Sequence, residues 1–345
     1  MTEARTGRLL SARPLVAVVG PTASGKTELA LRLCEALGGE IVGCDALQIR
    51  AGLPILTAKP TPMESGRAAH HLIGTLPIDE PATAARYAEL ADRVIADILA
   101  RGRLPVLCGG TGLYLRALRD GLFAGPTADP ALRAELRREA ELRGVATLHT
   151  ELASVDPAAA ARIGPADYVR IERALEVFRL TGRPISAWQE DSRAELRRGP
   201  RHRIVHLGLD PGTEALRRRI RLRAEAMLAS GLCDEVQDAL AVHGRLRFPP
   251  LGFTEVERHL AGELDESALL AELTAKTAQY ARRQRTWFRS ERAVRWAPSL
   301  GEVTLDEVRD ALARAAEDAP DSSSDGSSDG DGDGEVAAER GAERA

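Results

Sequence analysis

The octapeptide from Gly20 to Thr27 has the residue types and spacing of a phosphate-binding loop. Its residues are Gly20, Pro21, Thr22, Ala23, Ser24, Gly25, Lys26 and Thr27. In this pattern consecutive backbone N–H groups converge on an anion, while Lys26 adds a positive charge and Thr27 a hydroxyl that can face Mg²⁺. The pattern predicts a bound diphosphate or polyphosphate. It leaves open whether that phosphate is transferred, hydrolysed or expelled.

The flanking sequence supplies the elements that must position this loop. Strand-like apolar runs lie at 15–20, 40–44, 104–108 and 203–207. Helical patterns lie between them at 26–37, 85–101 and 111–120. Apolar strands separated by amphipathic helices are typical of a parallel sheet covered on both faces. The sequence therefore predicts an α/β fold, with a P-loop parallel sheet core flanked by helices.

From 130 to about 190 the pattern changes to successive helices without a convincing strand, which predicts an inserted all-helical domain. Further helices are expected at 213–230, 232–243 and 265–290. The predicted division is a flexible N-terminus at 1–12, the first part of the core at 13–122, a helical insertion at 123–200, the rest of the core with C-terminal helices at 201–317, and a disordered acidic tail at 318–345.

Composition narrows the class of protein. The net charge is −4, but residues 318–345 contain nine acidic and two basic residues, so the remainder carries a net charge of about +3. Of the 47 basic residues only three are lysines, and Lys26 is one of them. No apolar run approaches 18 residues and no signal-type segment is visible, so we expect a cytoplasmic protein without membrane contact. We also expect a monomer, although the sequence does not determine the oligomeric state. Four scattered cysteines predict buried thiols rather than a disulfide framework or zinc site.

Two segments follow strands at the edge where open parallel sheets bind ligands. Asp45 follows the second strand and can accept a proton or hold magnesium through water, or it can simply form a turn. Gly109-Gly110-Thr111-Gly112 follows the third strand. Its glycines indicate either close backbone approach to a ligand or a tight strand-to-helix turn.

Five ordered motifs resemble the tRNA dimethylallyltransferases, which attach an isopentenyl-type group to adenosine beside the anticodon. The motifs are Gly20 to Thr27, the block Thr57-Ala58-Lys59-Pro60-Thr61 with His70-His71-Leu72, Gly109 to Tyr114, Tyr168 to Val177, and Arg283 to Arg289. The resemblance covers Leu15 to Trp296, nearly all of the expected folded part.

The resemblance implies a division of chemical roles. The diphosphate of dimethylallyl diphosphate would occupy the phosphate loop with Lys26 and a Mg²⁺ ion held partly by Thr27. Asp45 would accept the proton of the adenine N6 amine. Thr22 aligns with a threonine near the reacting centre, and Arg219 with an arginine near the diphosphate. The implied catalytic residues are thus Asp45, Thr22, Lys26 and Arg219.

The resemblance also implies a tRNA-binding surface, since the target base must leave the anticodon-loop stack to react. The implied residues are Asp45, Ala46, Leu47, Gln48, Thr111, Arg133, Val169, Arg170, Ile171, Glu172, Arg173, Arg283 and Gln284. Arg133 lies 22 residues beyond Thr111, as the family pattern requires. Exposed helix faces that bind nothing are the alternative explanation for individual arginines.

The chain departs from the family pattern at four positions. Ala46 replaces a usual serine, Arg50 a usual aromatic residue, Leu56 a frequent glycine and Ala278 a common arginine. Leu56 requires a negative φ at its position. These departures bear on the anticodon contacts more than on the reaction class.

Two other functions fit part of the sequence. A small-molecule or nucleotide kinase would use the same phosphate loop, with Asp45 holding the acceptor and a lid arginine pair that the sequence does not identify. A non-catalytic RNA-binding protein would use the helical insertion and the arginines. It would retain RNA affinity in a Lys26→Ala variant.

Overall fold

The computed structural model describes residues 13–123, 125–196, 200–291 and 294–317. The expected flexible N-terminus at 1–12 and acidic tail at 318–345 lie outside these residues. No helix within the described ranges combines the length and apolar character needed to cross a membrane.

Six parallel strands form the centre of the molecule. They are β1 Leu15–Val19, β2 Gly39–Gly43, β3 His70–His71, β4 Leu104–Gly109, β5 Ile204–Leu209 and β6 Val294–Ala297. Their order in the sheet is β3-β2-β4-β1-β5-β6. All five residues of β1 are buried, because this strand lies inside the sheet and both of its faces are covered. The predicted parallel sheet is confirmed, and β3 and β6 extend it at its two edges.

Fourteen α-helices are present in the described residues. They are α1 Lys26–Leu37, α2 Pro62–Arg67, α3 Ala84–Ala100, α4 Gly112–Asp120, α5 Pro130–Arg143, α6 Val145–Val155, α7 Pro157–Ala160, α8 Tyr168–Thr181, α9 Ile185–Leu196, α10 Thr213–Ala229, α11 Leu232–His243, α12 Phe253–Leu260, α13 Glu266–Arg289 and α14 Leu305–Glu317. Local chemistry sets several ends: Thr83 accepts a hydrogen bond from the Arg86 N–H at the start of α3, and Gly38 ends α1 with a φ of 67°.

Alternate residues of the central strands point to opposite faces of the sheet. On one face Ala17 and Leu107 contact α3 and α4, whose Tyr87 and Tyr114 rings stack with centroids 4.1 Å apart. On the other face Val16 and Val18 pack with α1 and α14. Helices therefore cover both faces and leave the edge formed by the strand ends for a site.

Helices α5 to α9 form a second, purely helical cluster, which we call the helical unit. It lies in the chain between α4 and β5 and has its own apolar core. Leu136, Leu148 and Leu152 pack there against Ile171 and Leu175. A fourth apolar cluster joins α10 to α13 with the segment after Asp45, through Leu53 and Leu56.

Candidate active site

Strand register brings the predicted site segments together. Val19 of β1 pairs with Gly109 of β4 and Gly208 of β5, and Gly43 of β2 pairs with Cys108. The phosphate loop, Asp45 and Thr111 each follow one of these strands, so all three lie at the same edge of the sheet.

The phosphate loop is held by long-range contacts. Gly25 precedes α1 with a φ of 100°, which turns the backbone into the helix. The Thr22 N–H donates to Gln284 Oε1 of α13 at 2.8 Å, and Gln284 Nε2 donates to the Gly110 carbonyl at 3.0 Å. Gln284 is therefore a buried bridge between the phosphate loop and the turn after β4.

Lys26 lies inside the loop, with its Nζ donating to the Pro21 carbonyl at 2.8 Å. Burial lowers the pKa of Lys26, while the charge of Asp45 acts in the opposite direction. A partly buried ammonium with a neutral acceptor is suited to receive an anion, which would restore the stabilisation lost on leaving water.

Two arginines of α10 reach the loop from the other side. Arg219 donates to the Ser24 carbonyl at 3.0 Å, and Arg223, one turn further, donates to Thr22 Oγ1 at 3.0 Å. Burial lowers the pKa of Arg223. No carboxylate in the described part of the chain forms an ion pair with either guanidinium. Both cations thus keep charge for an anion in the loop.

The motifs do not predict Arg223. Its i,i+4 spacing from Arg219, which places both side chains on one helix face, is the only signal in the sequence that could have found it.

Asp45 forms a turn and also presents a carboxylate to the site. Its Oδ1 accepts hydrogen bonds from the N–H groups of Leu47 at 2.9 Å and Gln48 at 3.4 Å. No hydrogen bond from a described residue reaches Oδ2. The Ala46 N–H donates to Thr111 Oγ1 at 2.9 Å, which fixes the turn against β4. The turn-forming role expected for Asp45 is thus observed, and the same carboxylate also lines the cavity beside the phosphate loop.

The glycines after β4 approach protein rather than an open ligand site. A Cβ on Gly110 would lie 2.0 Å from Gln284 Nε2, and one on Gly112 would lie 2.0 Å from the Trp287 ring. The sequence left open a ligand contact or a tight turn: Gly109, the last residue of β4, lines the cavity beside the phosphate loop, whereas Gly110 and Gly112 form the turn. They allow α13 to pack closely on the turn.

A cavity of about 390 Å³ opens between these groups. Nine residues of the predicted site line it: Thr22, Ala23, Gly25, Lys26, Thr27, Asp45, Leu47, Gln48 and Arg219. Arg223 and Tyr280 also line it, and apolar side chains such as Met227, Leu232 and Leu273 form further walls. The cavity can therefore hold a molecule with an anionic part and an apolar part.

Six other predicted loop and turn residues do not line the cavity. Gly20, Pro21 and Ser24 are buried, whereas Ala46, Thr111 and Gln284 hold the neighbouring turns together by hydrogen bonds. Arg283 is exposed on α13, with its guanidinium 5.7 Å from the Tyr280 ring centre.

The side chains around Thr27 suit a hard divalent cation. The thiol beside Thr27 is that of Cys108, and it is protonated because burial raises its pKa to about 11. A thiolate-bound metal is therefore disfavoured. Among the described residues no group of three or more His, Cys, Asp or Glu side chains could hold a metal. A hydroxyl, bound phosphate oxygens and water fit Mg²⁺, which commonly keeps several waters.

The predicted tRNA-binding residues of the helical unit differ in exposure. Val169 and Arg170 are exposed on α8, whereas Ile171 is buried in the apolar core and Glu172 is buried beneath the Tyr168 hydroxyl, which donates to it at 2.7 Å. The side chain of Ile171 therefore serves packing, and of these four residues only Val169 and Arg170 are accessible to a partner.

Arg133 and Arg173 share a buried carboxylate. Arg133 donates twice to Glu176, at 2.8 and 2.9 Å, and Arg173 donates to the same carboxylate at 2.6 Å. Burial opposes ionisation of Glu176, but the two guanidiniums outweigh it and its pKa stays below the usual value. Both arginines thus stabilise the helical unit, a role that their spacing does not predict.

The departures from the family pattern have structural explanations in part. Arg50 donates to the carbonyls of Phe248 and Ile78 and so ties the segment after Asp45 to the loop before α12. Leu56 has no positive φ, as expected, and its N–H donates to Glu235 at 2.8 Å. Ala278 lines a groove between α10 and α13.

The fold and the cavity define a class of protein. It is a P-loop α/β protein in which the phosphate loop and apolar side chains line the same cavity. The model of the IPP transferase family matches residues 48–291. A tRNA dimethylallyltransferase of Anaeromyxobacter dehalogenans strain 2CP-1 is 47% identical over 284 residues, which cover 82% of this chain and 92% of that protein.

Solved structures agree with this match. The full-length tRNA isopentenylpyrophosphate transferase of Bacillus halodurans is 34% identical with a TM-score of 0.62, and the match covers 88% of this chain and 97% of that one. A eukaryotic dimethylallyltransferase acting on tRNA has a TM-score of 0.67 and covers 87% of this chain and 78% of that one. At 23% identity it supports the fold alone. The chain belongs to the IPP transferase family, a family of transferases, and the resemblance seen in its sequence is confirmed.

Proposed function

We propose that the protein transfers a dimethylallyl group from dimethylallyl diphosphate to N6 of adenosine 37, beside the anticodon of tRNA, and releases diphosphate. The observation that carries the proposal is a single cavity lined by the phosphate loop, the Asp45 carboxylate and apolar side chains. Membership of the IPP transferase family supports the same reaction.

The geometry supports a separate role for each side of the cavity. The loop N–H groups, Lys26, Arg219 and Arg223 would stabilise the negative charge that develops on the diphosphate as its bond to the allylic carbon breaks. A Mg²⁺ ion at Thr27 would neutralise further charge on the same oxygens. No phosphoryl group moves in this reaction.

Asp45 would act on the other reactant. As the N6 lone pair forms the new bond to carbon, the N6 proton would pass to the Asp45 oxygen that the turn leaves free. The Oδ1 bonds to Leu47 and Gln48 hold the carboxylate in place for this transfer. General-base help of this kind contributes roughly 10²–10⁴-fold.

We further propose that tRNA contacts the accessible residues of α8 and of α13, with Val169, Arg170 and Arg283 as surface contacts. The helical unit corresponds to the insertion predicted at 123–200, which we propose as the tRNA-binding domain. We expect the protein to work as a monomer in the cytoplasm.

One assay tests the reaction and the substrate together. The protein is incubated with Mg²⁺, labelled dimethylallyl diphosphate and unmodified tRNA that carries A36, A37 and A38, and the label is mapped. We expect label at A37 and none in a matched tRNA with G37. Turnover of ATP coupled to phosphorylation of a small molecule, with no label in tRNA, would identify a kinase instead.

A further inference from the structure

A second, smaller cavity adjoins the phosphate loop. Its volume is about 40 Å³, enough for one or two water molecules. Thr27, Gln48, Glu64 and His70 provide its polar lining, and Cys108 is among the others. Thr27, Gln48 and Cys108 also line the large cavity, so the two spaces meet at Thr27.

His70 presents a buried acceptor to this small cavity. Its Nδ1 lies 2.8 Å from the Ala68 carbonyl, which can only accept, so Nδ1 carries the proton. The other ring nitrogen, Nε2, then holds a lone pair. That atom is inaccessible to solvent and has no hydrogen-bond partner in the described structure. Burial also lowers the pKa of His70, which keeps the ring neutral. A buried acceptor of this kind calls for a donor such as a bound water.

Glu64 presents a carboxylate to the same cavity. Its Oε2 accepts from the Thr61 N–H at 2.8 Å and the Thr61 hydroxyl at 2.9 Å, as part of a capping box at the start of α2. Its Oε1 accepts no hydrogen bond from a described residue. Glu64 and Thr27 line the same small cavity, which places the carboxylate beside the phosphate loop.

These two side chains suit the hydration shell of a divalent cation. Mg²⁺ commonly retains several waters, and every such water offers hydrogens to acceptors around the ion. The Glu64 carboxylate and His70 Nε2 are acceptors from two different elements, and both line a space that reaches Thr27. Glu64 and His70 would contact the ion through its waters, whereas the Thr27 hydroxyl can contact the ion directly.

We propose that Glu64 and His70 are positioning residues for the divalent cation at Thr27, and that they hold its water molecules in the small cavity. The proposal rests on the proposed function, since the cation accompanies the diphosphate. Removing an outer-shell partner of this kind typically weakens metal binding by about 10–100-fold.

The test measures Mn²⁺ affinity by electron paramagnetic resonance in the presence of saturating inorganic diphosphate. Glu64→Gln is the decisive variant, because glutamine also completes a capping box and so preserves α2 while removing the charge. We expect Mn²⁺ binding to weaken about 10-fold or more, with unchanged thermal stability in metal-free buffer. His70→Phe, which removes the acceptor, should weaken binding several-fold.

Glu35→Gln is the matched control. Glu35 pairs with Arg67 on the exposed side of α1 and lines neither cavity. Glu35→Gln removes one negative charge, as Glu64→Gln does, and should leave Mn²⁺ affinity unchanged. Kinetics distinguish a role of Glu64 in holding the cation from a role in stabilising the fold. Excess Mn²⁺ should restore the kcat of Glu64→Gln, and only the metal concentration that gives the half-maximal rate should increase.

The two proposals fail differently. Wild-type protein that binds no diphosphate would contradict the proposed function. Wild-type protein that binds diphosphate with Mn²⁺, but whose affinity is unchanged within twofold in both Glu64→Gln and His70→Phe, would overturn the outer-shell role alone.

Discussion

The phosphate site and the helical unit use arginine in opposite ways. Arg219 and Arg223 donate to a carbonyl and a hydroxyl, and no carboxylate in the described residues forms an ion pair with them. In the helical unit, Arg133 and Arg173 share the buried Glu176. Cations with neutral partners retain charge for a ligand, whereas cations paired with a buried carboxylate stabilise the fold.

The difference shows why arginine content alone does not locate a binding site in this chain. With 44 arginines, many clusters look equally basic in sequence. What separates them is the partner of each guanidinium. The comparison predicts that changes in the phosphate site reduce activity without loss of stability, and that changes inside the helical unit do the reverse.

The largest expected effect is on the chemical step. Asp45→Asn keeps the Oδ1 acceptor for Leu47 and Gln48 but removes the base, so kcat for prenyl transfer should fall by roughly 10²–10⁴-fold. Diphosphate affinity, measured by calorimetry, should change little because the carboxylate acts on the base and not on the leaving group. Equal loss of both quantities would contradict this role.

The next effect is on stability. Glu176→Ala leaves Arg133 and Arg173 without their shared carboxylate and should cost about 3 kcal/mol of unfolding free energy, the low end for a broken buried pair because both arginines reach solvent. Urea denaturation followed by circular dichroism measures it. Diphosphate affinity should be unchanged in the folded fraction. A fall in that affinity would contradict the conclusion that the arginines of the helical unit serve stability alone.

Arg223→Met tests the phosphate site and should have the opposite outcome to Glu176→Ala: activity should fall while stability is kept. Loss of this cation should lower kcat/KM about 10²-fold, while Tm stays the same or rises because a partly buried, desolvated charge is removed. Arg221→Met is the matched control on the same helix, since Arg221 is exposed and pairs with Glu225. A lower Tm for Arg223→Met than for the control would place Arg223 among the structural arginines.

The smallest effect concerns the surface of the helical unit. Arg170→Ala should weaken tRNA binding about threefold and reduce the magnitude of the salt slope by about one, as expected for one phosphate contact. Arg309→Ala, which breaks a similar exposed i,i+3 pair on α14, should leave both quantities unchanged. Filter binding at several salt concentrations distinguishes them.

Arg133→Ala is a weaker test of tRNA contact than the spacing suggests. The substitution leaves the buried Glu176 with Arg173 as its only cation, which destabilises the helical unit. A lower tRNA affinity would therefore not distinguish a lost contact from a loosened helical unit. The tRNA contacts implied for Arg133 and Arg173 remain predictions that Arg170→Ala addresses more cleanly.

Much of the fold was predictable because its signals are local. The apolar run before the phosphate loop is β1, and the helical pattern at 26–37 is α1 to the residue. Strands β3 and β6 were not predictable. Two residues, His70 and His71, are too few for a period, and β6 has only four residues, with the charged Arg295 among them. These edge strands form because a paired neighbour already exists.

The sequence by itself determined the phosphate loop, the alternation of strands and helices, and the family, because each depends on residues close together in the chain. Tertiary structure alone decided which polar groups meet: Arg223 reaches Thr22 across 201 residues, and Gln284 reaches it across 262. The reason is physical. Sheet order and helix packing set these contacts, and local propensity carries no information about a partner that far away.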